Sequence, residues 1–81
     1  MKYVYVLYST SSKIYYVGMT EDLDRRLSEH NRGKSKFTKS HIPWRLIYNE
    51  SAIDWEAGRK REKYLKSSAG KRWLRSEGII E

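Results

Sequence analysis

The sequence predicts an α+β domain: a small three-stranded antiparallel or mixed sheet packed by helices, in the order β-β-α-β-α-α. Three observations lead there. Tyr3-Val-Tyr-Val-Leu-Tyr8 and Ile14-Tyr-Tyr-Val-Gly18 are β-branched or aromatic almost throughout, and only Ser9 and the four polar residues Thr10–Lys13 separate them, which is a hairpin pattern. A third run of the same kind, Trp44-Arg-Leu-Ile-Tyr48, follows the chain's only proline. The stretches between and after these runs are charged, with sparse leucines at helical spacing. A chain of 81 residues supports one thin core, so a single domain over 1–81 is expected, with helices packed on the sheet.

Taken in order, the first strand has both faces at least partly covered, because apolar residues occupy both parities. If Thr10–Lys13 is the loop, Ser9 faces Ile14 and Leu7 faces Tyr16. Tyr5 and Tyr16 then lie diagonally on one face, about 7–8 Å apart at the backbone. Thr20 is the expected N-cap of the first helix, with Glu21, Asp22 and Asp24 in a first turn that favours carboxylates. Leu23, Leu27 and Asn31 trace its narrow buried stripe, and Gly33 stops it. Residues Lys34–Pro43 form a basic loop carrying Phe37. Asp54 is the expected N-cap of a second helix running to about Ser67 despite Gly58. Gly70 is expected to separate it from a short last helix over about Lys71–Ser76.

Composition narrows the function. The absence of cysteine removes disulfides, thiolate metal sites and cysteine nucleophiles. No apolar run approaches the roughly 18 residues of a membrane span. The N-terminal apolar stretch has strand character and no cleavage site, so a soluble, cytoplasmic protein is expected. The net charge is +7, from 17 Lys+Arg and 10 Asp+Glu. It is concentrated: residues 1–24 carry a net of −1 and residues 25–75 a net of +10. Such a field favours a polyanion, and nucleic acid is the usual one.

Three places could carry chemistry. The phenols of Tyr5 and Tyr16 could converge, although tyrosine is also simply a good strand residue. Arg26 and His30 share a helix face beside the buried stripe, where they could hold a phosphate or remain solvated. Glu62 is the only acid between Arg59 and Arg75, among eight basic residues. It could bind a hard cation such as Mg²⁺, or form an ion pair with Arg59, Lys63 or Lys66.

Together, Tyr3-Val-Tyr5, Tyr16-Val-Gly18, Asp22-Leu-Asp-Arg-Arg-Leu27, Glu-His30-Asn31 and Lys60-Arg-Glu62-Lys-Tyr-Leu-Lys66 resemble the GIY-YIG nuclease family. The likeness is greatest to its minimal stand-alone bacterial members, and extends to the N-terminal nuclease domain of the excinuclease. Two positions depart from the pattern: Tyr3 replaces the first glycine, and Met19 stands where some relatives carry lysine. The resemblance implies a DNA endonuclease dependent on Mg²⁺ (or Mn²⁺), with a link to DNA repair. It implies a catalytic set of Tyr5, Tyr16, Arg26, His30 and Glu62. Glu62 holds the metal, Arg26 clamps a non-bridging oxygen, and Tyr16 and His30 orient water and phosphate. Tyr5 acts as general base, a role that requires the site's positive charge to favour phenolate. Arg25, Arg32, Lys34, Lys36, Lys39 and Arg45 are expected to grip the DNA backbone, with Phe37 or Trp44 stacking on a base. Specificity is expected from the Lys34–Pro43 loop or from a protein partner. The alternative is a non-catalytic nucleic-acid-binding module with a basic surface and an aromatic sheet face.

Overall fold

The computed structural model describes all residues from Met1 to Glu81. The elements are β1 (Lys2–Ser9), β2 (Tyr15–Thr20), α1 (Leu23–Asn31), a 3₁₀ turn (Thr38–His41), β3 (Trp44–Ala52), α2 (Trp55–Lys66) and α3 (Ser68–Ser76). The expected β-β-α-β-α-α order is therefore present, with the basic loop partly folded into the 3₁₀ turn. The sheet order is β2-β1-β3, and both pairings are antiparallel, which resolves the mixed alternative.

The hairpin closes as its polar loop suggests. The Ser9 N–H donates to the Ile14 carbonyl at 2.9 Å, and the Lys13 N–H donates to the Ser9 carbonyl at 2.8 Å. Leu7 pairs with Tyr16 and Tyr5 with Gly18. β1 is the central strand, and Val4, Tyr5, Val6 and Leu7 are all buried. Alternation sends them to opposite faces. Tyr5 and Leu7 join Trp44 under α1, with Leu23 and Leu27 packed against them. Val4, Val6 and Val17 join Leu65, Leu74 and Ile80 under α2 and α3. Two thin cores thus flank one sheet. A register shift on β3, opposite Val6 and Leu7, lets Leu46 serve the first core while Ile47 and Tyr48 serve the second.

Three boundaries differ from expectation, each for a local reason. The cap of α1 is Asp22, whose carboxylate accepts the Arg25 N–H at 3.0 Å. Thr20 still belongs to β2, paired with Tyr3, and its hydroxyl accepts the Asp22 N–H at 3.1 Å. β3 runs on to Ala52 because its polar outer half pairs with Lys2–Tyr5. Gly70 does not separate the last two helices. Ser67 does, ending α2 and accepting the Gly70 N–H at 3.1 Å as the cap of α3. Gly70 lies inside α3, where a Cβ would stand 2.6 Å from the Leu65 Cα. The glycine is there for close helix approach.

Candidate active site

The site begins at the cross-strand pair of Tyr5 and Gly18. Because Gly18 has no side chain, the Tyr5 ring lies over it; a Cβ at Gly18 would sit 2.6 Å from Tyr5 Cζ. Tyr16, two residues earlier on the edge strand β2, brings its ring centroid to 6.4 Å from that of Tyr5. The diagonal placement expected from the hairpin parity is what the register gives.

α1 crosses this face and supplies the next two groups from one side of its surface. His30, fully buried in the last turn, places Nε2 at 2.9 Å from the Tyr5 hydroxyl, and its ring lies edge-on to Tyr16 at 5.2 Å. Arg26, one turn earlier, donates from Nη1 to Glu29 at 3.0 Å. Its guanidinium also acts on the Tyr5 phenol, pulling the phenol's pKa downward. Tyr5, Tyr16, Arg26 and His30 therefore form one cluster.

Glu62 stands in the other layer. It projects from α2, which packs on the opposite face near the β2 edge, and its charge is felt at the Tyr5 phenol. Its direct partner is Lys66, with Nζ 3.2 Å from Oε2, one of the three ion pairs open to it from the sequence. Lys66 and Tyr16 also border an apolar cavity of about 180 Å³ among Val17, Leu65 and Leu74. That cavity lies in the second core, away from the Tyr5 hydroxyl.

The electrostatics depart from expectation at Tyr5. Burial pushes its pKa up to about 12; the nearby Tyr16 and Glu62 add to the rise, and Arg26 only partly offsets it. The cluster's own positive charge does not favour phenolate, because loss of hydration outweighs one guanidinium. His30 is pushed down to about 4, by burial first and then by Arg26, so it is neutral near pH 7. The hydrogen bond from Arg26 holds the Glu29 carboxyl below its usual range.

Of the expected DNA-gripping residues, Arg25, Arg32, Lys34, Lys36 and Lys39 are exposed on α1 and the segment after it. Phe37 lies among them, 55% exposed and stacked on Tyr16 at 6.1 Å and 25°. The basic segment therefore flanks the aromatic cluster. Arg45 does not join it. It pairs with Tyr8, whose ring meets Tyr15 on the α2–α3 side of the sheet. Trp44 is core, 4% exposed, and donates its indole N–H to the Thr38 carbonyl at 2.8 Å. Its backbone is held at both polar atoms by Asn31, at 2.6 Å and 3.0 Å.

Sequence reasoning missed Thr38 and the pairing of Glu29, whereas Lys66 was one of the three partners it offered for Glu62. Thr38 is fully buried, with its hydroxyl 2.7 Å from His30 Nδ1. Between Lys36, Phe37 and Lys39 it reads as an ordinary loop residue. Glu29 and Lys66 stand at i+3 from Arg26 and i+4 from Glu62, spacings that themselves point to ion pairs.

No group of three or more His, Cys, Asp or Glu side chains stands ready to cage a metal. Glu62 alone still suits Mg²⁺, which keeps several waters and is commonly held by one or two carboxylates plus substrate phosphate oxygens. The donor set fits a cation that arrives with its substrate.

A family model described as the GIY-YIG catalytic domain matches residues 1–75. A UPF0213 protein of Syntrophus aciditrophicus is 41% identical over 66 residues, spanning 79% of this chain and 75% of that protein. One from Streptococcus pneumoniae serotype 4 is 43% identical over 68 residues, spanning 75% and 68%. The solution NMR structure of a UPF0213 protein from Bacillus halodurans superposes with a TM-score of 0.56 at 33% identity, covering 95% of this chain and 85% of that one.

Proposed function

The chain belongs to the GIY-YIG catalytic-domain family, and from that premise we propose that it is an endonuclease that hydrolyses DNA phosphodiester bonds with Mg²⁺ or Mn²⁺. The observation that carries this reading is the convergence of Tyr5, Tyr16, Arg26 and His30 on one sheet face, with the Glu62 charge felt at Tyr5.

Each residue then has a task. Arg26 exchanges part of its pairing with Glu29 for a non-bridging phosphate oxygen, a contribution of about 3–4 kcal/mol by analogy with oxyanion donors. Glu62, released from Lys66, is the protein ligand for the metal. When bound, that metal supplies positive charge against the leaving 3′ oxygen and lowers the cost of a phenolate nearby. Tyr5 first loses its own hydrogen to bulk water, and the resulting phenolate accepts the proton of the attacking water. Its high pKa in the free protein keeps it uncharged until substrate and cation arrive. Tyr16, packed against His30 and Phe37, orients the phosphate. Arg25, Arg32, Lys34, Lys36 and Lys39 track the backbone, and Phe37 offers an exposed face for stacking on a base. No helix is long and apolar enough to cross a membrane.

The test is incubation of duplex, nicked, branched and single-stranded DNA with the protein and Mg²⁺ or Mn²⁺, beside Glu62→Gln and Arg26→Ala. Metal-dependent cleavage lost in both variants supports the reading. Salt-dependent binding without cleavage under any metal, with tighter binding in Glu62→Gln, would establish the non-catalytic module instead.

A further inference from the structure

The second core holds a space that its own side chains leave unfilled. The cavity of about 180 Å³ lies between the sheet and the helices α2 and α3, walled by Val6, Val17, Leu65, Leu74 and Ile80. All five are buried. Interiors are normally packed too closely to leave such a gap, and a thin core feels the lost contacts most. An apolar cavity of about 150 Å³ admits benzene, so this one has room for a ring-sized body. It lies across the sheet from the core of Tyr5 and Leu7, and the catalytic cluster gives it no task.

Its rim is cationic. Lys66, at the end of α2, and Lys71, in the first half of α3, border the cavity, and no acidic residue does. Both lysines are exposed, which lets their stems cover apolar surface while the ammonium groups stay in water. Lys71 enters no ion pair, and Lys66 has only Glu62, at 3.2 Å and four residues back along the helix. An exposed pair at that spacing is weak, so Lys66 can turn to a second anion.

We propose that this cavity binds a small amphipathic monoanion. Its compact apolar body, a ring or a short branched chain, sits among the five aliphatic side chains, and its carboxylate turns outward to Lys66 and Lys71. The walls select the body, because a polar group pushed among them loses its water and gains no partner. The lysines select the charge, and at the rim the carboxylate keeps water on its outer side. A neutral hydrocarbon uses the walls alone, and an inorganic anion the rim alone. The site needs neither metal nor turnover, so it stands or falls independently of the nuclease reading.

Benzoate is the probe, beside benzyl alcohol, which carries the same ring without the charge. Methyl ¹H–¹³C correlation spectra of the labelled protein follow both cores during each titration. Saturable shifts are expected at Val6, Val17, Leu65, Leu74 and Ile80, with Leu23 and Leu27 of the other core unmoved. Benzoate should bind more tightly than benzyl alcohol. Combining Lys66→Gln with Lys71→Gln should weaken benzoate roughly 5- to 10-fold, the scale of two exposed ion pairs. Benzyl alcohol should bind that variant as it binds the parent, which also shows that the cavity is intact. Four results would each overturn the proposal: no saturable shift in the parent, equal affinity for the two probes, shifts spread evenly over both cores, or benzoate affinity unchanged in the double variant. The comparison of the two probes on the parent requires no variant to fold.

Discussion

Replacing Gly18 by alanine tests whether this glycine exists to seat the Tyr5 ring. The added Cβ would lie 2.6 Å from Tyr5 Cζ and 3.1 Å from Tyr16 Cε2. Carbon atoms settle at about 3.5–4.0 Å, so the Tyr5 ring must retreat by roughly 1 Å. It has little room, because Tyr5 is 2% exposed and tied to His30. Overpacking of this kind costs about 1–3 kcal/mol. Against it stands the roughly 0.5–1 kcal/mol that alanine gains over glycine inside a strand. The net is a loss of about 1 kcal/mol, or a fall of roughly 4–8 °C in Tm for a domain this size. Such a loss leaves nearly all molecules folded at 25 °C, given a usual stability of at least about 5 kcal/mol. Cleavage should suffer far more, since a displacement of about 1 Å costs on the order of 100-fold. Thermal unfolding by circular dichroism and single-turnover cleavage of DNA measure the two effects separately. A variant with parent-like Tm and parent-like cleavage would show that nothing depends on the close approach over Gly18.

Three further outcomes follow from the same geometry. Gly70→Ala should destabilise by about 3 kcal/mol or more, because its Cβ meets Leu65 backbone that cannot yield. Gly58→Ala should cost under about 1 kcal/mol, because its Cβ meets chiefly the flexible end of Met19; equal denaturant midpoints for the two would refute this. His30 binds a proton at about 4 in the folded protein and near its ordinary 6.5 when unfolded, so stability should fall as pH drops through that window. The full loss is roughly 3–3.5 kcal/mol and should vanish in His30→Gln, whereas parallel Tm–pH curves would exclude it. Removing Lys34, Lys36 and Lys39 together should flatten the dependence of log K for duplex DNA on log salt by up to about 3, while Arg45→Ala leaves it unchanged; an equal effect of Arg45 would place DNA on both faces.

The hairpin is legible in the sequence because four polar residues fix a parity, and parity fixes which tyrosines share a face. Asp54 is legible as a cap because it precedes a charged helical run directly. The misplacement of Thr20 and the role of Gly70 have a common origin. Local propensity reports where a residue is comfortable, whereas Thr20 is retained by its strand partner Tyr3, and Gly70 by the nearness of α2. Arg45 falls on the unexpected side for a similar reason: only the pairing with Tyr8 says which way it points. Thr38 is invisible in the sequence because burial of a loop residue is decided by what folds over it, here Trp44 and the end of α1. The raised pKa of Tyr5 cannot come from counting charges, since it depends on how much water the folded chain removes from one oxygen.

The Asn31 side chain has a consequence beyond holding a turn. Its amide offers the Trp44 backbone one acceptor and one donor, the same pair of atoms that an adjoining strand would present. β3 is the outermost strand on its side, so its first residue is where a second molecule would most readily start to pair. With that rung already filled from within, the outward-facing polar atoms of Trp44 are closed to an added strand, and Asn31→Ala should reveal this as stronger concentration-dependent self-association than in the parent chain.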